Sequence, residues 1–340
     1  MMRASPILLV SLAVGLVHAA EPTTKPRLIE QPDAFRTLVN PNCSHCRDEA
    51  KRRAGELKDN DRVLCWIRGK YDGGAIPQRF FLNPYRVISD TYGVFVLDAD
   101  AGYARGYEPS LKFKFHGWRN GVMVMKHEDG TLYSCLSGLA FAGPKKGGRL
   151  KAIPTLTSAW GYWNERYPGT VAYHMYDKYK PMELEAKGSE GSKKSRVRVD
   201  SRLPADAVVV GTTDGKRTRA YPLARLAKLG SHGVVADRLG ERDYVLLWVQ
   251  ATGTATAFWP IAHPPSKDAG KPRALTLTAS DPHVPAAPFF DKETKSKWDI
   301  AGRAVEGELT GWTLEWLDSV QVKWFAWSAE YPETNVASDR

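Results

Sequence analysis

Four cysteines and a few histidines are the residues whose types and spacing can do chemistry in this chain. Cys43-Ser44-His45-Cys46 sets two thiols either side of an imidazole, after a strand-like FRTLV and before an Ala/Glu/Arg-rich stretch that reads as a helix. A thiol at a helix N-terminus is acidified by the dipole, which is what thiol-disulfide exchange requires. The same group can instead join Cys65, Cys135, His116 or His127 around copper(I) or zinc, since soft thiolates with imidazole suit those ions. The third reading is structural: four cysteines in an oxidising compartment form disulfides, with three possible connectivities. Arg47 stands where a covalent haem motif needs histidine, so haem attachment is excluded.

Other polar candidates are sparser. His116 in FHGWRNG and His127 in MKHEDG flank a predicted hairpin, and Asp90 and Asp237 end comparable segments. No nucleophile elbow, phosphate loop, HExxH or paired-carboxylate pattern is present, so hydrolase and transferase readings have no residue to stand on.

The elements that must position these groups begin with an export signal. Arg3, an apolar run from Pro6 to Val17 and the small residues Ala19 and Ala20 form the three parts of a secretory signal peptide. The run falls short of the roughly 18 to 20 residues of a spanning helix, and no later segment is long and apolar enough. The expected location is extracytoplasmic, periplasmic or secreted. A formal charge of +10 favours anionic neighbours, such as an anionic cell-envelope ligand or a polysaccharide. The basic clusters are short and carry no nucleic-acid motif, so nucleic acid is not an expected partner. Hydrophobic content of 43% with 11 Trp supplies packed cores and excludes a disordered chain.

Comparing the chain with itself exposes a repeat. The stretch from Gly138 aligns without a gap on the stretch from Gly302, matching Gly143 with Gly307, Gly147 with Gly311, Leu150 with Leu314, Trp160 with Trp324, Trp163 with Trp327, Tyr167 with Tyr331 and Pro168 with Pro332. Upstream, the segment from Asp61 parallels the one from Asp206. The tryptophans and tyrosine recur at i, i+3 and i+7, one face of a short helix that the proline stops. Such a face can stack on sugars, but its spacing is what core packing requires. Runs such as VLLWV and GVFVL read as strands. The expected fold is α+β, predominantly β, with two tandem pseudo-symmetric modules each closed by a Trp-containing helix. The boundaries are 1–20 for the signal peptide, 21–180 for the first module, 181–202 for a polar linker and 203–340 for the second.

RAYPLARL from Arg219, FFDKETKSKW from Phe289, VMKHEDGTLY from Val124 and both closing helices resemble the family known as domain of unknown function 3179. That family carries Cys-x-x-Cys in its central strand, where this chain reads LLWVQATGTATAF without cysteine. Its histidine corresponds to His232, which makes His232 and Asp237 the second-module candidates. Tyr85 stands near that place in the first. The resemblance implies a fold and brings no reaction with it. Around Cys43 the chain also resembles the active-site turn of thioredoxin-like oxidoreductases, without room for the rest of that fold. The expected function is therefore ligand or partner binding at the cell envelope, with thiol-disulfide or copper/zinc chemistry at the Cys43 segment as the alternative.

Overall fold

The computed structural model describes residues 25–40, 57–68, 72–78, 85–173, 176–177, 180–181, 190–197, 200–279 and 287–337. The expected signal peptide and Cys43, His45 and Cys46 lie outside them. The fold is α+β and predominantly β, with few and short helices.

In the first half, β1 (Leu28–Glu30), β2 (Arg36–Val39), β3 (Arg62–Ile67), β4 (Gly73–Pro77), β5 (Tyr85–Ser89), β6 (Val94–Asp98) and β7 (Tyr103–Tyr107) precede a meander. The meander is β8 (Phe113–Arg119), β9 (Val122–His127), β10 (Leu132–Ser134) and β11 (Ala140–Ala142). There follow β12 (Ala152–Ile153), β13 (Leu156–Ala159), the first closing helix (Trp160–Arg166), β14 (Val171–Ala172) and a small pair, β15 (Tyr176–Asp177) and β16 (Lys180–Pro181).

The second half runs through β17 (Val208–Thr213), β18 (Thr218–Pro222), β19 (His232–Leu239), β20 (Arg242–Val249) and β21 (Thr254–His263). After β22 (Arg273–Ala274) comes a second meander, β23 (Leu277–Ala279), β24 (Phe289–Asp291), β25 (Lys297–Trp298) and β26 (Ala304–Glu306). It ends with β27 (Thr313–Lys323), the second closing helix (Trp324–Glu330) and β28 (Asn335–Val336).

The two halves share one strand order. In the second, β19-β20-β21-β27-β17-β18-β28 lie side by side in a single sheet; in the first, β5-β6-β7-β12 and β13-β3-β4-β14 repeat that sequence as parts of two sheets. Pro154 explains the break, because it lacks the N–H that a continuous strand like β27 would donate. Registers agree in detail: Ser158 faces Val63 as Val322 faces Val209, and Ala152 faces Tyr107 as Trp316 faces Phe258. Upstream, the sequence alignment is one residue out. The helix-starting N–H of Trp160 bonds the Asp61 carbonyl, whereas that of Trp324 bonds Ala207, not Asp206. A slip of one matters in a strand, since it exchanges the two faces.

Both closing helices stop as their sequences require. The N–H of Tyr167 donates to the Trp163 carbonyl and that of Tyr331 to Trp327, each at 2.8 Å. Gly138 and Gly302 occupy equivalent positive-φ positions, 70° and 75°, and each carbonyl accepts the N–H of Leu150 or Leu314. Any side chain would be strained there.

The four tryptophans of the closing helices are buried, so they are core and not a sugar-stacking platform. The core is shared between halves: Trp324, Phe325 and Trp327 pack with Phe115, Trp118, Met123 and Met125 of the first meander. The stretch from Ala186 to Arg198, expected as a linker or exposed loop, includes a helix at Glu190–Ser195 whose Gly191, Ser192 and Ser195 are buried. Ser192 Oγ donates to the Gly121 carbonyl and Ser195 Oγ accepts the Gly121 N–H, so small polar residues serve as close-packing material here.

Polar bonds lock the seam. Tyr167 Oη and Arg166 Nε donate to Asp299 Oδ2 at 2.7 and 3.0 Å, and Arg105 reaches both Asp318 oxygens at 2.9 Å. Burial pushes the Asp299 carboxyl up, while the Arg303 N–H, Arg166 and Tyr167 pull it back. Replacing Asp299 by Ala leaves Arg166 and the Tyr167 hydroxyl without their shared acceptor, with an expected loss of about 3 kcal/mol. Tyr167→Phe removes a single hydrogen bond and costs about 1 kcal/mol. Urea midpoints at unchanged slope measure both; an Asp299→Ala loss under about 0.5 kcal/mol would refute the seam's role.

Candidate functional site

The site is built on the β8–β9 hairpin. Asn120 and Gly121 both have positive φ, 53° and 84°, the primed two-residue turn that an Asn-Gly pair favours. From this turn Arg119 faces Val122 and Trp118 faces Met123. The ladder then shifts between Gly117 and Phe115, leaving His116 as the extra residue of a β-bulge. The shift lets both Phe115 and Trp118 face one core, with ring centroids 5.0 Å apart.

The bulge also sets Lys114 directly across from Lys126 on the other face. Like charges placed opposite in a sheet destabilise it, and neither ammonium has an acidic partner among the described residues. His116 Nε2 lies 3.6 Å from Glu30 Oε2, yet burial lowers its pKa, with Lys126 acting the same way. The imidazole is thus held neutral and adds no positive charge.

Two adjoining cavities of about 430 and 640 Å3 share Pro32, Lys114 and Phe115 and form one groove. Lys112, Lys114, Lys126 and Arg36 line it against the two carboxylates Glu128 and Asp33. Lys112 pairs with Glu128, which leaves the central lysines uncompensated. Leu111 and Val39, two of the few large apolar side chains that are exposed, give the walls apolar character. Its size matches sites for small organic ligands.

The cysteine and histidine candidates are not brought together. Cys65 and Cys135 are free thiols, fully buried in separate cores, and burial pushes both well above the usual range. The two thiols are thus not brought together, and the described residues hold no cluster of three or more potential ligands. The copper or zinc set expected around Cys43, His45 and Cys46 has its central residues outside the described ones. His127 sits by Asp129, with Nδ1 3.0 Å from Oδ1. Cys43, His45 and Cys46 lie outside the described residues.

In the second half His232 faces Val249, the place corresponding to the family's cysteine strand, and its Nε2 is buried without a hydrogen bond. Asp237 accepts the Tyr221 hydroxyl and lies 2.7 Å from Arg219 Nε. Asp90 takes the equivalent position and accepts the Tyr173 hydroxyl. Both aspartates anchor a tyrosine.

A different carboxylate is poised to titrate. Asp98 accepts the N–H groups of Asp100, Ala101 and Met123, but its complete burial outweighs them and pushes its pKa up to about 6.

With this geometry in place, the comparison with known families gives one assignment. The model of a protein family of unknown function, DUF3179, matches residues 101–334, and the chain belongs to that family. The match is continuous from β7 through the second closing helix. No curated protein and no solved structure matches the chain. No helix among the described residues is long and apolar enough to cross a membrane.

The sealed thiols give a simple check. Alkylation of the native protein is expected to spare Cys65 and Cys135 and to modify them only in denaturant. Rapid native labelling of either, read by peptide mass spectrometry, would contradict their burial.

Proposed function

We propose that the protein is an exported binding protein whose β8–β9 groove takes an anionic ligand with an apolar or sugar body. The observation that carries this reading is the uncompensated Lys114–Lys126 pair, fixed by the bulge at His116 inside a half-apolar groove. A pair that costs folding energy and stands in a concave site is explained by an anion that bridges it. The N-terminal signal sequence supports export, and the net charge of +10 favours acidic cell-envelope material. The halves are read as diverged copies of one module, supported by their common strand order and matched registers. The counterpart of the bulge in the second copy would fall after Ala279, outside the described residues.

The test titrates inorganic phosphate and oligogalacturonate, followed by calorimetry at two salt concentrations. Wild-type protein is expected to bind at least one probe, more weakly at high salt. The Lys114→Ala/Lys126→Ala double variant loses at least tenfold in affinity, about 1.4 kcal/mol. In the same variant the unliganded fold gains about 0.5 kcal/mol, because the opposed charges are gone. Equal affinity in variant and wild type, or no binding of either probe, would sink the reading. Cleavage after Ala20 in protein recovered from outside the cytoplasm tests the export half.

A further inference from the structure

The shared strand order makes one difference between the halves informative. β5 and β19 are equivalent edge strands, since Ser89 faces Val94 in the first half as Ala236 faces Val245 in the second, with Val94 and Val245 in turn facing the matched Tyr107 and Phe258. In the first half the outer edge of β5 is covered: β2 pairs with it in parallel, and the Asn40 N–H bonds the Ser89 carbonyl at 2.8 Å. In the second half no strand among the described residues pairs with the outer edge of β19.

The hydrogen bonds show which groups are left. The Gln250 N–H donates to the Ser231 carbonyl, so the pair Ser231–Gln250 is hydrogen-bonded. By the alternation of an antiparallel ladder, Gly233, Val235, Asp237 and Leu239 bond β20, while His232, Val234, Ala236 and Arg238 point outward. The Arg238 N–H is taken by Asp237 Oδ1 at 2.7 Å. Among the described residues the backbone groups of His232, Val234 and Ala236 have no partner along that edge.

Natural edges are blunted by prolines, lysines, bulges or short length. β19 has eight residues, an unshifted register, no Pro and no Lys. Among the described residues the other sheet ends are strands of two to four residues, such as β28 at the far end of the same sheet and β14, β1 and β2 elsewhere.

We infer that β19 is a self-association edge, pairing antiparallel with β19 of a second copy of this chain about a two-fold axis at Val234. That register sets His232 against the partner's Ala236 and Val234 against the partner's Val234. The groups that are free, and no others, then form about six backbone hydrogen bonds. Asp237 falls opposite the partner's Ser231 and Arg238 opposite the partner's Gly230, so no like charges meet. Leu229, which is 42% exposed, falls opposite the partner's Leu239. An isologous edge pairing of this kind closes on itself and stops at the dimer. The inference is independent of the groove, which lies on the first half.

Analytical ultracentrifugation of the mature chain across a wide concentration range tests it. Wild type is expected to show a reversible monomer–dimer equilibrium. Val234→Pro removes an N–H that has no partner within the monomer, and Ala236→Lys adds a charge at an exposed position. Each is expected to shift the dimer dissociation constant at least tenfold upward, with circular dichroism unchanged. Should the proline variant fail to fold, the lysine variant decides. A wild-type chain that stays monomeric at the highest concentration, or a dimer unaffected by Ala236→Lys, would overturn the proposal. So would slow hydrogen exchange at Val234 and Ala236 in a monomer, because another segment would then be covering the edge.

Discussion

The structure depends on a core that neither half owns. Trp324, Phe325 and Trp327 belong to the second closing helix, yet they pack with Phe115, Trp118 and Met125 of the first meander. In the opposite direction Tyr162 of the first closing helix packs against the core of the second meander. Each aromatic buries about 150 to 250 Å2, so this exchange outweighs the seam's polar bonds in gross energy. The polar bonds supply direction: Asp299 has one location for Tyr167 and Arg166, and Arg105 has one for Asp318. Apolar burial draws the halves together and the buried polar atoms fix their register.

Against that common frame, differences between the halves concentrate at the periphery. The first half gains β1 and β2, which cover the flank of β8 and the edge of β5, and a bulge that turns two lysines toward each other. The second keeps β27 unbroken where Pro154 splits its counterpart, and leaves β19 at the margin. Interior positions are constrained by packing density, whereas strand edges and outer faces are free to diverge. Candidate binding surfaces therefore sit at the edges and outer faces, away from the conspicuous tryptophans.

Much of the frame was legible in the sequence. The Trp-x-x-Trp helices, the glycines at 138 and 302 and the Asn-Gly hairpin each have one dominant local conformation, so pattern alone identified them. The upstream pairing was misread by one residue because alternation in DRVLC and DAVVV fits either register, and only the bond from Trp324 to Ala207 decides it. The segment around Ser192 looked like a linker because its composition is polar; its burial comes from Trp118 above Gly191, a long-range contact with no local signature. The groove was missed for a similar reason. Without the bulge at His116, Lys114 would face His127, and nothing in FKFHGWRNG announces the extra residue. Cys65 and Cys135 attracted attention by type, and their strands place them in different cores.

A shared core has one thermodynamic signature, and differential scanning calorimetry of the protein reads it most directly. Interlocked halves are expected to unfold in one transition, with calorimetric and van't Hoff enthalpies equal. Two resolved transitions, with one half melting while the other keeps its heat capacity step, would contradict the claim that the second closing helix and the first meander share one core.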